Sequence, residues 1–505
     1  MINRVNTLDT NDSSGASIQD MAMLCAERNA CVMSCYERGS VTLDGFLAQQ
    51  ASKVSFNKTR KTIYEPSDFY ESAEEFITER LGDKAGKDIA AALEANVILT
   101  ADHHGAVFCS QSFQGDILYG FLLRKLGVQG RIIPIFSGGQ VELGNVTFAR
   151  GINLYVSDES KGALPFFRAV DHNQMAIKAK AIDEEMLERF RNNFITENPD
   201  DTVKKTLEEL LKTIYETDLV RKCRNYSEQV TAIGAMLSGK LFPEETGFTF
   251  AYLEVERVIK KILIKELGDE NSILHRVMFF RSARKIINEI TTEDGLPIAS
   301  QLFVGADSKG RKVFLRLSES GELIGESRDG SKVQYIADPD SIKGLLEREE
   351  IYPGIFIVSV LLAFERGITW MGGMFQSVYL PSWQKTVMKL LNEMGMKEEA
   401  DIVGGFDCTG YISGPMYALF GGDGYATTAG PVEMLMTGCN LSFLKSSIEK
   451  TTLWNAHMIG LHEMYPDLTV KNERKPDWYK TAAQELFGCF TENIINAKTT
   501  KSRLG

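Results

Sequence analysis

The chain has little of what usually assigns a protein at sight. Its 505 residues hold eight cysteines and six histidines. No two cysteines form a Cys-x-x-Cys pair and their spacing is sparse, which fits a reducing compartment better than a disulfide framework. No apolar run reaches the roughly 20 residues that cross a bilayer. The most apolar uncharged stretch, Ile351 to Phe364, is broken by Pro353 and Gly354 and reads as a buried helix or strand. The opening MINRVNTLDTNDSSGAS lacks the apolar core of a secretory signal, so the expected compartment is cytoplasmic. Internal repeats and low-complexity tracts are missing as well. Positive charge is in deficit: 56 Lys and Arg face 68 Asp and Glu, a net charge of −12. That balance disfavours nucleic acid and anionic membrane surfaces as partners. The expected partner is a small-molecule substrate, and a homo-oligomer is compatible with the composition. With 44 % apolar residues, the chain is long enough for a large core and two to four domains.

What is present is a change of grammar along the chain. Residues 1–16 form a polar tail, and 17–181 begin with helical periodicity, including a single amphipathic helix expected over Ile18 to Tyr36. This leads into an α/β unit. There the apolar run Val97-Ile98-Leu99-Thr100 is too short for a helix and reads as a buried strand. Ile117 to Leu126 has helical spacing, and Arg131 to Phe136 is a second apolar run. Strand, helix, strand is the signature of a parallel sheet. Residues 182–292 form a helical block, read as a cap, and 293–338 alternate short apolar runs with Asp-Ser-Lys-Gly and Arg-Asp-Gly-Ser turns, the grammar of an antiparallel meander. Residues 339–505 mix helices with glycine-dense loops. The expected fold class is α/β: a parallel-sheet core with a helical block and a small antiparallel β meander.

In parallel sheets, ligands lie outside the carboxyl ends of the strands. That rule singles out Asp102-His103-His104, directly after the first strand, as catalytic candidates. In unbroken extended chain, Asp102 and His104 project to one side and His103 to the other. A carboxylate beside an imidazole is either a metal-ligand pair, here Asp102 and His104, or an oriented general base. The string resembles the Asp-His-His motif of the DHH phosphoesterases, metal-dependent enzymes that cleave phosphodiesters or pyrophosphate. The resemblance covers these three residues and the strand before them. It implies metal-assisted hydrolysis with a divalent ion; the Asp-x-Asp pair that such enzymes draw from an earlier strand has no counterpart here, so no further residue is carried over.

The same rule places the turn Ser137-Gly138-Gly139 at the second strand's end, with Arg150 downstream as a permanent cation; these four residues are the substrate-binding candidates. From Val97 to Arg150 the local balance is one net positive charge, which suits a small anionic ligand. A separate glycine-dense segment, 404–430, contains Gly421-Gly422-Asp423-Gly424. It is similar to the GGDG loop of NAD kinases, diacylglycerol kinases and phosphofructokinases, which implies nucleotide phosphates as a cofactor with Asp423 near magnesium.

Remaining candidates have structural explanations beside the functional ones. His457 and His462 are five apart, so on one helix they diverge by roughly 140°. Asp171-His172-Asn173 reads as a polar turn. Cys25, Cys31 and Cys35 follow an apolar face, while Cys109 and Cys408 lie near the two candidate segments. Glu365-Arg366, amid apolar sequence, belongs at a helix end or in a buried pair. Three function classes follow: an enzyme performing metal-assisted hydrolysis or acid–base chemistry on a small polar or anionic metabolite, a nucleotide-dependent transferase or ligase, and a non-catalytic binding protein.

Overall fold

The computed structural model describes residues 17–243, 246–291 and 297–495, with the side chains of Ala101 and Asp102 outside the description. The polar tail at 1–16 therefore lies outside the described residues. Two five-stranded sheets carry the architecture. In chain order their strands are β1 (Val97–His103), β2 (Ile132–Gly138), β3 (Thr249–Glu254), β4 (Phe303–Ala306), β5 (Lys312–Leu317), β6 (Glu322–Glu326), β7 (Lys332–Ile336), β8 (Ile351–Pro353), β9 (Thr369–Gly373) and β10 (Tyr411–Ser413).

The first sheet has the order β10-β9-β1-β2-β3, and every neighbouring pair is parallel. Parallel neighbours need a crossover connection, and helix Ser110–Lys125 supplies the one between β1 and β2. Apolar residues on successive positions of these strands serve two cores, because alternate side chains leave on opposite faces. Val97, Leu99, Ile133, Ile135, Phe250 and Tyr252 enter one buried cluster. Ile98, Ile132, Phe136, Ala251, Leu253 and Trp370 enter the other. This is why the strands read as continuous apolar runs.

The second sheet, β8-β4-β5-β6-β7, is antiparallel throughout. The expected α/β class, with its parallel core and antiparallel meander, is what the structure shows. The chain blocks are interleaved: β3 comes from the helical block at 182–292, β9 and β10 come from beyond 339, and the meander recruits β8 from outside 293–338. Short strands inside helical surroundings have too little periodicity to be seen in the sequence. The single helix expected over Ile18 to Tyr36 is two, Ile18–Arg28 and Ala30–Glu37. Asn29 separates them, its Oδ1 accepting from the backbone N–H groups of Cys31 and Val32 at 2.9 and 3.2 Å; a capping side chain restarts the helix without disturbing the apolar spacing. Among the described residues no helix is long and apolar enough to cross a membrane.

The order of the first sheet creates a crevice. From β1 the chain builds outward through β2 to β3, then returns to the other side of β1 for β9 and β10. Connections leaving the carboxyl ends of β1 and β9 thus diverge, and the space between them is the topological switch point where doubly wound sheets bind ligands.

Glu365 and Arg366 follow the helical segment after β8 and are fully buried. The Arg366 guanidinium reaches Asp68 at 2.7 Å, Glu266 at 2.8 Å and Glu365 at 3.5 Å, and donates to the Leu361 carbonyl at 2.9 Å. Burial pushes the Glu365 carboxyl well above its ordinary range, with the Glu266 carboxylate adding to the shift. Through Asp68 and Glu266, Arg366 ties helix Ser67–Leu81 to helix Lys260–Gly268. Removing one member of such a cluster strands the rest, so Arg366→Leu is expected to cost about 3–5 kcal/mol, read as a lower urea midpoint at unchanged slope.

Candidate functional site

The register between β1 and β2 slips by one residue: Leu99 pairs with Ile135, but Asp102 pairs with Ser137 and His103 with Gly138. Three steps on β1 therefore match two on β2, a β-bulge at the carboxyl end of the central strand. A bulge re-aims the side chains beyond it. Leu99 belongs to one core, whereas His103, four residues on, lines a cavity with Thr100, Phe136 and Trp370 of the opposite face. The cavity holds about 860 Å³ and touches the carboxyl ends of β1, β2, β9 and β10 and the residues just after β3.

His103 is positioned by the loop after β2. The Thr147 hydroxyl donates to Asn145 Oδ1 at 2.7 Å, which fixes the amide, and Asn145 Nδ2 then donates to His103 Nδ1 at 2.6 Å. An imidazole that accepts at Nδ1 carries its proton on Nε2. Burial holds the ring's pKa down to about 4, with the Lys312 ammonium contributing. His103 is thus a neutral imidazole with an N–H to offer.

His104 is held apart from His103, in hydrogen bonds of its own. It is completely buried, its Nδ1 lies 2.5 Å from Ser137 Oγ, and its Nε2 lies 2.8 Å from the Ser227 carbonyl, to which it donates. Both nitrogens are used, so none remains for a metal. The Ser227 hydroxyl bonds Glu254, whose carboxylate pairs with Arg257 at 2.8 Å, and Arg257 reaches Glu349 at 3.1 Å. His104 and Ser137 are members of this brace between β1, β2 and β3. The Asp102 side chain lies outside the described residues, and among the described residues no group of three or more His, Cys, Asp or Glu side chains is arranged around a metal position.

The Ser137-Gly138-Gly139 turn does present amides to an anion, but the anion is the protein's own. Gly139 N–H donates to Glu256 Oε2 at 2.9 Å and Gln140 N–H to Oε1 at 3.1 Å. A Cβ on Gly139 would stand 2.6 Å from the Glu254 carboxylate and 3.2 Å from that of Glu256, so only glycine lets both acids approach. Glu256 lines the cavity together with Gly138. Burial and the nearby Glu254 charge raise its carboxyl to about 7, despite the two amides. Lys312 on β5 faces the same space; burial lowers its pKa against the attraction of Glu256 and Glu142. Cys109 also lines the cavity, and burial pushes its thiol up to about 11, so it is not a thiolate nucleophile at neutral pH.

The other candidates are not brought to this cleft. Arg150 is not among its lining residues and stacks over Phe148 at 5.1 Å. Gly421-Gly422-Asp423-Gly424 is a β-hairpin corner, the tight-turn reading of this segment. Gly422 pairs with Tyr425, and Asp423 and Gly424 stand exposed between them with φ of +53° and +91°. Two consecutive positive φ values are those of the tight hairpin turn for which Asp-Gly is favoured. His172 is exposed, while His457 and His462 are buried away from the cleft, bonded to Cys35 Sγ at 3.1 Å and the Tyr479 carbonyl at 3.0 Å. Cys25, Cys31, Cys35 and Cys408 are buried core residues.

The sequence reading missed Asn145, Thr147, Glu256, Lys312, Trp370 and Gln376, all of which line the cleft. Glu256 and Gln376 each lie two or three residues past the end of a parallel strand, the placement that drew attention to His103, and would have been found had β3 and β9 been recognised.

Two outcomes check this geometry. Nitrogen NMR of His103 should show the Nε2–H tautomer and no protonation until pH approaches 4; its native value lies below the ordinary 6.5, so its neutrality stabilises the fold above pH 6.5 and that contribution is lost as pH falls toward 4. Gly424→Ala should cost about 1–2 kcal/mol through its positive φ, and ATP should shift the melting temperature of this variant and the parent equally, if at all. The chain matches no protein-family model and no curated protein sequence.

Proposed function

We propose that the chain is an enzyme that performs acid–base chemistry on a small molecule bound at the carboxyl edge of the parallel sheet. One observation carries this reading: a neutral His103 with its Nε2–H to offer and a Glu256 carboxyl near neutrality line the same cleft. A general base works best when its pKa is close to the operating pH, and Glu256 meets that condition. Neutral imidazole, in turn, is suited to donate a hydrogen bond to a carbonyl or oxyanion whose charge grows during reaction. The division of labour is therefore a proton taken or returned by Glu256, with His103 stabilising the oxygen that gains charge. Lys312 supplies a positive charge beside both.

Metal-assisted hydrolysis has less support, because His104 is committed to the internal brace. Nucleotide transfer loses its proposed phosphate loop to the hairpin at Asp423-Gly424.

A melting-temperature screen against carbonyl- and carboxylate-bearing metabolites should yield a substrate. Glu256→Gln and His103→Gln are each expected to lower its turnover by about 10²–10⁴ while the protein stays folded. In the parent, kcat should rise with pH through about 7, as Glu256 loses its proton, and Glu256→Gln should abolish that limb. Full turnover in both variants, or the same limb without the carboxylate, contradicts the proposal.

A further inference from the structure

Thirteen large apolar side chains stay exposed among the described residues, and four of them line this one cavity: Val146 at 70 %, Phe314 at 64 %, Phe375 at 48 % and Ile355 at 42 %. They come from four separate places, namely the loop after β2, strand β5, the helix start after β8 and the loop after β9. Single exposed apolar residues are ordinary, whereas several gathered around one concave opening mark a binding surface. Phe314 shows the placement most clearly. On β5, Val313, Leu315 and Leu317 turn inward, and Phe314 stands on the outer face with Lys312 and Arg316. Solvent alone would select a polar residue there.

Deeper in the cleft the character reverses. Gln376 is 3 % exposed, and its Oε1 accepts from the Thr100 hydroxyl at 2.6 Å and the Tyr379 hydroxyl at 3.4 Å. Two hydroxyl donors on Oε1 fix the amide orientation and leave Nε2 as a donor, which has no partner among the described residues. Trp370 is 2 % exposed, and its indole N–H has no partner among the described residues either. Both side chains line the cavity at the β1–β9 switch point. A Cβ on Gly372 would stand 2.1 Å from Gln376 Oε1, so the glycine lets this amide fold down onto β9. An unsatisfied buried donor is costly, and both donors belong to residues of the cavity wall.

We infer that the substrate of the proposed reaction is amphipathic: a head with acceptor oxygens, carboxylate or phosphate, seated against Gln376 and Trp370, and an apolar chain or ring that covers the mouth at Phe314 and Phe375. The cavity volume falls within the range of small-molecule sites. A protein partner laid across the opening would cover the apolar rim but leave the two inner donors as they are; a molecule with head and tail accounts for both. The inference rests on the proposed function for its setting, and its test is independent of turnover.

The test is calorimetric titration of the full chain with hexanoate, octanoate and decanoate, and with the alkyl phosphates of the same lengths. Affinity should rise about fourfold per added methylene, and whichever series binds identifies the head. Gln376→Leu should weaken every binding member about tenfold. The surface double variant Phe314→Ser, Phe375→Ser should leave the shortest ligand's affinity nearly unchanged and remove the dependence on length. Absence of binding in both series overturns the inference, as does affinity independent of length. Concentration-dependent dimerisation abolished by the double variant would instead assign the rim to a second copy and overturn it too. The titrations read binding without turnover: binding as expected in the parent, with turnover indifferent to Glu256→Gln, would remove the proposed function and retain this substrate class.

Discussion

A parallel strand sends alternate side chains to opposite faces, and in this molecule both faces are closed by apolar cores. A polar side chain at the sheet's edge can face a ligand only if the strand's phase delivers it to the open crevice. The bulge between Leu99 and Asp102 sets that phase in the central strand. One additional residue there turns His103 into the cleft beside Thr100, Phe136 and Trp370, and sends His104 into the buried brace with Ser137 and Ser227. Without it, the two histidines would follow the unbroken alternation. The polarity of the whole edge, and with it which histidine faces the cleft, depends on a single step of register.

The electrostatics of the edge follow from burial more than from formal charge. Backbone amides of the Gly139 turn, which could have held a phosphate, instead hold Glu256. Those hydrogen bonds favour the carboxylate, while desolvation and the neighbouring Glu254 oppose it, and the balance falls near neutrality. Two acids are tolerated this close because Glu254 is neutralised by Arg257, itself held by Glu349. The internal brace and the cleft thus meet at Glu254, which pairs with Arg257 in the first and raises the Glu256 carboxyl in the second.

Much of this was legible in the sequence, and the illegible part has definite causes. Short apolar runs ahead of Asp102 and Ser137 announced parallel strands, and the rule that ligands sit at their carboxyl ends pointed, through His103 and Gly138, to the edge that holds the cleft. The bulge left no trace, because register belongs to a pair of strands and not to either one. β3, β9 and β10 were hidden by their shortness and their helical surroundings, and with them went Glu256, Trp370 and Gln376. Gly421-Gly422-Asp423-Gly424 left two readings open, tight turn and phosphate loop, for a different reason. Glycine permits positive φ for a phosphate cradle and for a hairpin alike, and only the pairing of Gly422 with Tyr425 distinguishes them. Arg150 was a cation near the site in sequence whose side chain rests on Phe148 in space.

We propose one working cleft, at the switch point between β1 and β9, with His103 as the imidazole that meets the substrate. A crystal structure of the protein soaked with a turned-over substrate tests this most directly. The account predicts ligand density in the cavity bounded by Thr100, Glu256 and Gln376, with an oxygen within hydrogen-bond distance of His103 Nε2. Density centred on His104 or on the Asp423-Gly424 hairpin, with the cleft empty, would contradict it.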